Sequence, residues 1–80
     1  MPKYSLALMD DRNVSNHKCI KSDNLSELES ILLTAVVKNN DYTEGEICLS
    51  NNLDIEIAKA RHGKYLWFGY DGSLDPEASN

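Results

Sequence analysis

The sequence predicts an α+β fold: a single antiparallel β-sheet of about five strands, in the order ββαβββ, with one α-helix packed on one face. Three observations predict it. Leu25, Leu28, Ile31, Leu32, Ala35 and Val36 recur at helical spacing and form one apolar stripe. Leu53-Asp54-Ile55-Glu56-Ile57-Ala58 alternates as a half-buried strand does. Lys64-Tyr65-Leu66-Trp67-Phe68-Gly69-Tyr70 gathers most of the aromatic residues into a run apolar on both faces, which suits a strand covered on both sides or keeping one side for a partner. The links are short, so sequential strands are expected to pair antiparallel, as a first hairpin and a final meander.

Each element follows from its residues. Tyr4-Ser5-Leu6-Ala7-Leu8-Met9 is a first strand with Tyr4, Leu6 and Leu8 on one face. Asp10 to Asn16 is rich in turn formers and reads as a hairpin loop, from which His17 to Lys21 returns as a second, shorter strand. Ser22-Asp23-Asn24 opens the helix, and Asn24 with Glu27, or Ser26 with Glu29, has the spacing of a capping box. Glu27 and Glu29 lie near the positive end of the helix dipole and Lys38 near the negative end, and Asn39-Asn40-Asp41 stops it. Glu44 to Ser50 is a third strand with Ile47 and Leu49 inward, followed by a tight turn at Asn51-Asn52, where Asn tolerates left-handed backbone. In the fourth strand Leu53, Ile55 and Ile57 are expected inward and Asp54 and Glu56 outward. Lys59 to Gly63 makes the next turn, and Asp71-Gly72 ends the aromatic strand. Residues 1–72 thus form one domain, and 73–80 a flexible polar C-terminal tail. The expected core is Leu6, Leu8, Leu28, Ile31, Leu32, Ile47, Leu49, Ile55, Ile57 and either Leu66 or Trp67.

A chain of 80 residues buries one small core. Its 13 acidic residues against 8 basic ones give a net charge of -5, which argues against direct contact with nucleic acid, whose phosphates are held by Lys and Arg clusters. Such a balance suits a basic protein partner, or mimicry of a nucleic acid. The start Met1-Pro2-Lys3-Tyr4 lacks an apolar leader, and no run approaches the roughly 20 apolar residues of a membrane span, so the expected location is cytoplasmic. Cys19 and Cys48 read as reduced, partly buried thiols; a disulfide between them is open to the chain but nothing in the sequence requires it.

Sites with chemistry are scarce. His17, Cys19, Cys48 and His62 are a formal zinc set, but only His17-x-Cys19 is close, and the reading is a turn histidine with thiols. Cys48 or Cys19 with His17, and Asp10 with Asp11, are catalytic pairs on paper without a motif around them, and the four glycines are scattered singly. Neither a cofactor nor an enzymatic role is expected. The stronger pattern is Glu44 and Glu46 on one strand beside Asp54 and Glu56 on its hairpin neighbour: four carboxylates on one face, flanked by Tyr65 and Trp67 or by Tyr70. Aromatic anchors within a charged rim supply affinity and steering at protein interfaces. Lys59, Arg61, His62 and Lys64 form the one positive cluster, read as offsetting the nearby acids.

Ser22-Asp23-Asn24-Leu25-Ser26-Glu27-Leu28-Glu29, Leu53-Asp54-Ile55-Glu56-Ile57 and Gly63-Lys64-Tyr65-Leu66-Trp67-Phe68-Gly69-Tyr70-Asp71-Gly72 resemble small immunity proteins of bacterial contact-dependent and polymorphic-toxin systems. In those a helix precedes a meander that ends in an aromatic strand and a glycine. The resemblance implies tight binding to a toxin domain and no catalysis. The size, acidity and Asn/Ser content also suit a small phage protein that blocks a host defence complex, such as an anti-CRISPR protein. The expected function is therefore a small acidic inhibitor that occludes a toxin, nuclease or host defence complex with a basic surface. The alternative is anti-CRISPR or anti-restriction action by nucleic-acid mimicry. A homodimer through an edge strand or the uncovered sheet face is compatible with both.

Overall fold

The computed structural model of the chain describes residues 2–67. Five strands, β1 (Tyr4–Met9), β2 (Lys18–Ser22), β3 (Glu44–Leu49), β4 (Asn52–Arg61) and β5 (Lys64–Trp67), form one sheet in the spatial order β2-β1-β3-β4-β5. Every pairing is antiparallel. Helix α1 (Leu25–Leu32) continues directly into a π-helical segment, Leu33–Lys38, between β2 and β3. The order is ββαβββ and the fold is α+β, as the periodicities predict. The hairpin and the meander join through β1, which pairs with β2 on one side and β3 on the other. No described helix is long and apolar enough to cross a membrane.

Of the two caps the sequence offers, Asn24 forms: its extended backbone (φ -101°, ψ 101°) lets the side chain accept from Glu27 N–H at 3.2 Å. The reciprocal half is made by Ser22, whose Oγ accepts from Asn24 N–H at 3.0 Å. Leu28, Leu32, Ala35 and Val36 are buried against the sheet, with Leu25 and Ile31 half-buried at the edges of the stripe. In the last turns the spacing widens to i→i−5, with Asn39 N–H donating to Thr34 C=O at 2.9 Å. A π-turn advances each residue through a smaller angle than an α-turn, so Val37 stays near the sheet side and packs on the core. Asn40 then takes φ 55°, and Asp41 and Tyr42 N–H both donate to Ala35 C=O, closing the helix. The left-handed asparagine is therefore Asn40. At the β3–β4 turn no positive φ occurs, and because Leu49 pairs with Asn52 the turn residues are Ser50 and Asn51.

The helix lies very close to β3. A Cβ on Gly45 would collide with Leu32 Cδ1, would lie 2.9 Å from Leu8 Cδ2 and would crowd Val36 Cγ2 at 3.3 Å. Leu6, Leu8, Leu28, Leu32, Ile47, Leu49 and Ile57 form the buried centre as expected, while Ile31 and Ile55 lie at its margin. Tyr4, Ala35, Val36, Ala58 and Ala60 also join it. The side chains of Leu66 and Trp67 lie outside the described residues, as do Phe68 to Tyr70 and the 73–80 tail.

β4 departs from strict alternation. The register runs Ile47↔Ala58, then Cys48↔Glu56, then Leu49↔Asn52. Ile57 is thus the extra residue of a β-bulge, and Leu53, Asp54 and Ile55 oppose no residue of β3. Ile57 and Ala58 are consequently both buried, while Leu53, expected inward, is 64% exposed where the ladder is interrupted. The strand also runs further than expected, to Arg61. The turn shrinks to His62 (φ 49°) and Gly63 (φ 80°), the two left-handed positions of a type I′ hairpin.

Replacing Gly45 with Ala is expected to cost about 1–3 kcal/mol, because the Leu32 and Leu8 methyls it displaces are enclosed. Urea unfolding should show a lower midpoint with an unchanged m-value; an unchanged midpoint would mean that the helix rides further from β3.

Candidate functional site

Alternation along the strands assigns the helix-free face. With Gly45, Ile47 and Leu49 directed to the helix, Glu44, Glu46 and Cys48 point away from it. Register then adds Ser5 and Ala7 of β1, Cys19 and Lys21 of β2, and Lys59 and Arg61 of β4 to the same side. In a regular strand Glu56 and Lys59, three residues apart, would point to opposite faces. The bulge at Ile57 brings them to one face, with Lys59 Nζ 3.8 Å from Glu56 Oε2.

Three of the four expected carboxylates, those of Glu44, Glu46 and Glu56, meet on this face. Asp54 is exposed in the unpaired stretch beyond it. The acids are interleaved with bases: Arg61 Nε lies 3.8 Å from Glu44 Oε1, across from it in register, and Lys59 stands opposite Glu46. These pairs are partly exposed and add little stability. Glu46 and Glu56 form an unfavourable contact. A hydrogen bond in which protonated Glu46 donates to Glu56 raises the Glu46 pKa most, burial raises it further, and the Glu56 charge adds to both. Between them, burial first and then the Glu46 and Glu56 charges push the Cys48 thiol up to about 11. Cys48 is therefore a neutral thiol at physiological pH and a poor nucleophile. Cys19, expected partly buried, is exposed on β2. The two cysteines are free and lie on strands flanking β1, opposite Ala7 and Ser5, so that two strand spacings and two residues of offset put them more than about 10 Å apart, beyond disulfide reach.

The aromatic residues take a different side. Tyr65 pairs in register with buried Ala60 and belongs to the helix-facing set. Its hydroxyl donates to Glu29 Oε2 at 3.3 Å, tying β5 to α1. Burial, then the Glu29 charge, pushes its pKa up to about 12. Tyr65 and the three carboxylates are thus separated by the sheet. Trp67 stands across from Ala58 in register, and Tyr70 lies outside the described residues.

Sequence reasoning missed a cleft at the loop end of the sheet. The Asp10–Asn16 loop is polar, as expected, but it is pinned. The buried Asp10 carboxylate accepts from Arg12 Nε at 2.8 Å, Arg12 N–H at 3.0 Å and Asn16 Nδ2 at 3.1 Å. Arg12 also donates to Asn40 C=O at 2.9 Å, Asn16 to Asp41 C=O at 3.2 Å, and Asp11 N–H to Thr43 Oγ1 at 2.9 Å. The loop is thereby fastened to the helix exit. Between it and the β4–β5 turn lies a cleft of about 450 Å³, with Met9, Val14 and His17 on one side and Glu44, Arg61 and His62 on the other. The signal was present in Asp10-x-Arg12, an Asx-turn phrase whose side chain accepts from the backbone two residues on. Among the described residues no three His, Cys, Asp or Glu side chains come together as a metal ion needs.

Two tests follow from this geometry. The Arg12 hydrogen bond, then that of Asn16, lowers the Asp10 pKa from 3.8 to about 2. A carboxylate depressed on folding stabilises above its unfolded pKa, and that contribution is lost as pH falls through the folded value. Melting temperature should therefore drop between about pH 4 and pH 2. Asp10→Asn should lower it at neutral pH and flatten the acid limb; an identical pH profile would exclude the network. Tyr65→Phe should cost about 0.5–1.5 kcal/mol in chemical denaturation by removing the tie to Glu29. No loss of stability would return Tyr65 to the candidate contact residues.

No protein-family model matches this chain, and comparison with curated proteins and with solved structures finds no match to either.

Proposed function

We infer that the chain is a small acidic binding protein that inhibits another protein by occluding a basic surface, and that the helix-free sheet face makes the contact. The observation that carries this reading is the Glu46–Glu56 pair. Two carboxyl groups held together on neighbouring strands work against folding, since like charges across a ladder are destabilising. Local costs of this kind are retained where a site needs them. A lysine or arginine from a partner would relieve the repulsion, so the interaction that weakens the free protein would strengthen the complex. The rest of the face, with Glu44 against Arg61 and Glu56 against Lys59, offers alternating charges whose pattern selects a partner and speeds its approach.

The interleaved bases also favour occlusion over nucleic-acid mimicry, which needs an unbroken row of carboxylates at phosphate-like spacing. A toxin, a nuclease or a host defence complex with a basic surface fits the partner chemistry equally.

The test is Glu46→Gln, alone and with Glu56→Gln. The raised Glu46 pKa means that its charged form costs the fold. That cost is absent below the unfolded value of 4.5 and sets in as pH rises through the folded one. At pH 7 the variant should be more stable by about 0.2–1 kcal/mol. In parallel, immobilised wild-type protein and the double variant are exposed to nuclease-treated lysate of source cells at low and high salt. One stoichiometric basic protein should bind the wild type, weaken with salt and be lost with the variant. Equal retention by both, or recovery of the chain alone, would overturn the reading.

A further inference from the structure

Two of the three large apolar side chains exposed among the described residues, Met9 (36%) and Val14 (85%), line the cleft at the loop end of the sheet. Its volume of about 450 Å³ lies in the range of ligand sites. It continues the helix-free face, because Met9, Glu44 and Arg61 form one cross-strand row at the end of β1, β3 and β4. The Asp10 network holds its loop wall in place before any partner arrives, which lowers the ordering entropy of binding.

The polar lining sets three carboxylates, those of Asp10, Asp11 and Glu44, against one guanidinium, that of Arg61. Asp10 is satisfied by Arg12 and Asn16. Glu44 meets Arg61 only at 3.8 Å, too far for a hydrogen bond, and keeps its acceptor capacity. The Asp11 carboxylate closes no ion pair among the described residues. Apolar walls ending in available carboxylates complement a long apolar stem with a cationic head. His17 and His62 on the two sides add flat rings, on which a planar guanidinium stacks and an ammonium does not. The chain's own segment from 68 to 80 is of the wrong sign, since it carries Asp71, Asp75 and Glu77 and no base.

We propose that this cleft receives an arginine side chain of the partner protein, with Asp11 and Glu44 holding the guanidinium and Met9 and Val14 the stem. The proposal rests on the protein-binding reading above and names the residue type that anchors the complex.

The experiment is an NMR titration of the ¹⁵N-labelled chain with acetyl-Gly-Arg-Gly-amide and with its citrulline counterpart, which has the same shape without the charge. Arginine should shift the amides of Asp11, Val14, Thr43 and His62 and saturate in the roughly millimolar range expected for one side chain. Citrulline should bind at least about tenfold more weakly, and so should arginine to D11N/E44Q, whose helix resonances serve as a check of folding. An equal response to citrulline, a response to acetyl-Gly-Glu-Gly-amide at the same amides, or shifts centred on Glu46 and Glu56 would overturn the proposal. The two readings fail separately. Partner capture that survives D11N/E44Q but not E46Q/E56Q removes the arginine anchor and leaves the occluding face. The reverse pattern keeps the cleft and removes the face.

Discussion

The missing side chain of Gly45 sets the geometry of the whole molecule. With no Cβ there, Leu32 and Val36 of the helical layer settle onto β3 and share that space with Leu8 of β1. Where β4 pairs with Ile47 and Gly45 it carries the small side chains of Ala58 and Ala60, with Ile57 buried beside them at the bulge. Among the described residues no helix covers the opposite side of the sheet. The described residues hold one helical layer, and where it packs decides which sheet face is left open among them. The charged face and the cleft at its end are therefore consequences of apolar packing on the far side.

Features set by local periodicity were legible in the sequence. The Tyr4–Met9 alternation, the Leu28-Leu32-Val36 stripe and the Asn24 cap each depend on residues a few positions apart. The β4 bulge was not legible, because Leu53 to Ile57 alternates perfectly and only pairing with β3 shows where a residue is spare. The π-helical turn was hidden for a related reason: the apolar spacing of 28, 32 and 36 fits either winding, and contact of Val37 with the core distinguishes them. The acidic face was half legible. Three carboxylates share it, but the assignment of Tyr65 to the same side needed the β4–β5 register, and that register places it with Ala60. The cleft is formed by three segments far apart in the chain, and no single stretch announces it.

Net charge says little about where any one charged group sits or what it does. On the helix-free face Glu44 and Glu56 have basic neighbours, so the strong local feature is the Glu46–Glu56 contact, not a sum of carboxylates. Elsewhere Asp10 is spent on architecture, held by Arg12 and Asn16, and contributes no free charge. Composition counts all of these alike. Their surroundings make one a fastener, another a strained neighbour and a third, Asp11, an available acceptor.

The bulge at Ile57 has a bearing on how the gene can vary. Shortening β4 by that one codon would join Glu56 directly to Ala58, so that the pairs Cys48↔Glu56 and Ile47↔Ala58 become neighbours in an even ladder and Glu56 keeps its face. The loss would instead be the fully buried Ile57 side chain, which the extra residue contributes to the core. Lengthening the turn at Ser50-Asn51 removes no core side chain, since Leu53 to Ile55 already run unpaired against β3. Evolution of this strand is thus free to change length at one end and bound at the other by the side chain that the spare residue lends to the core.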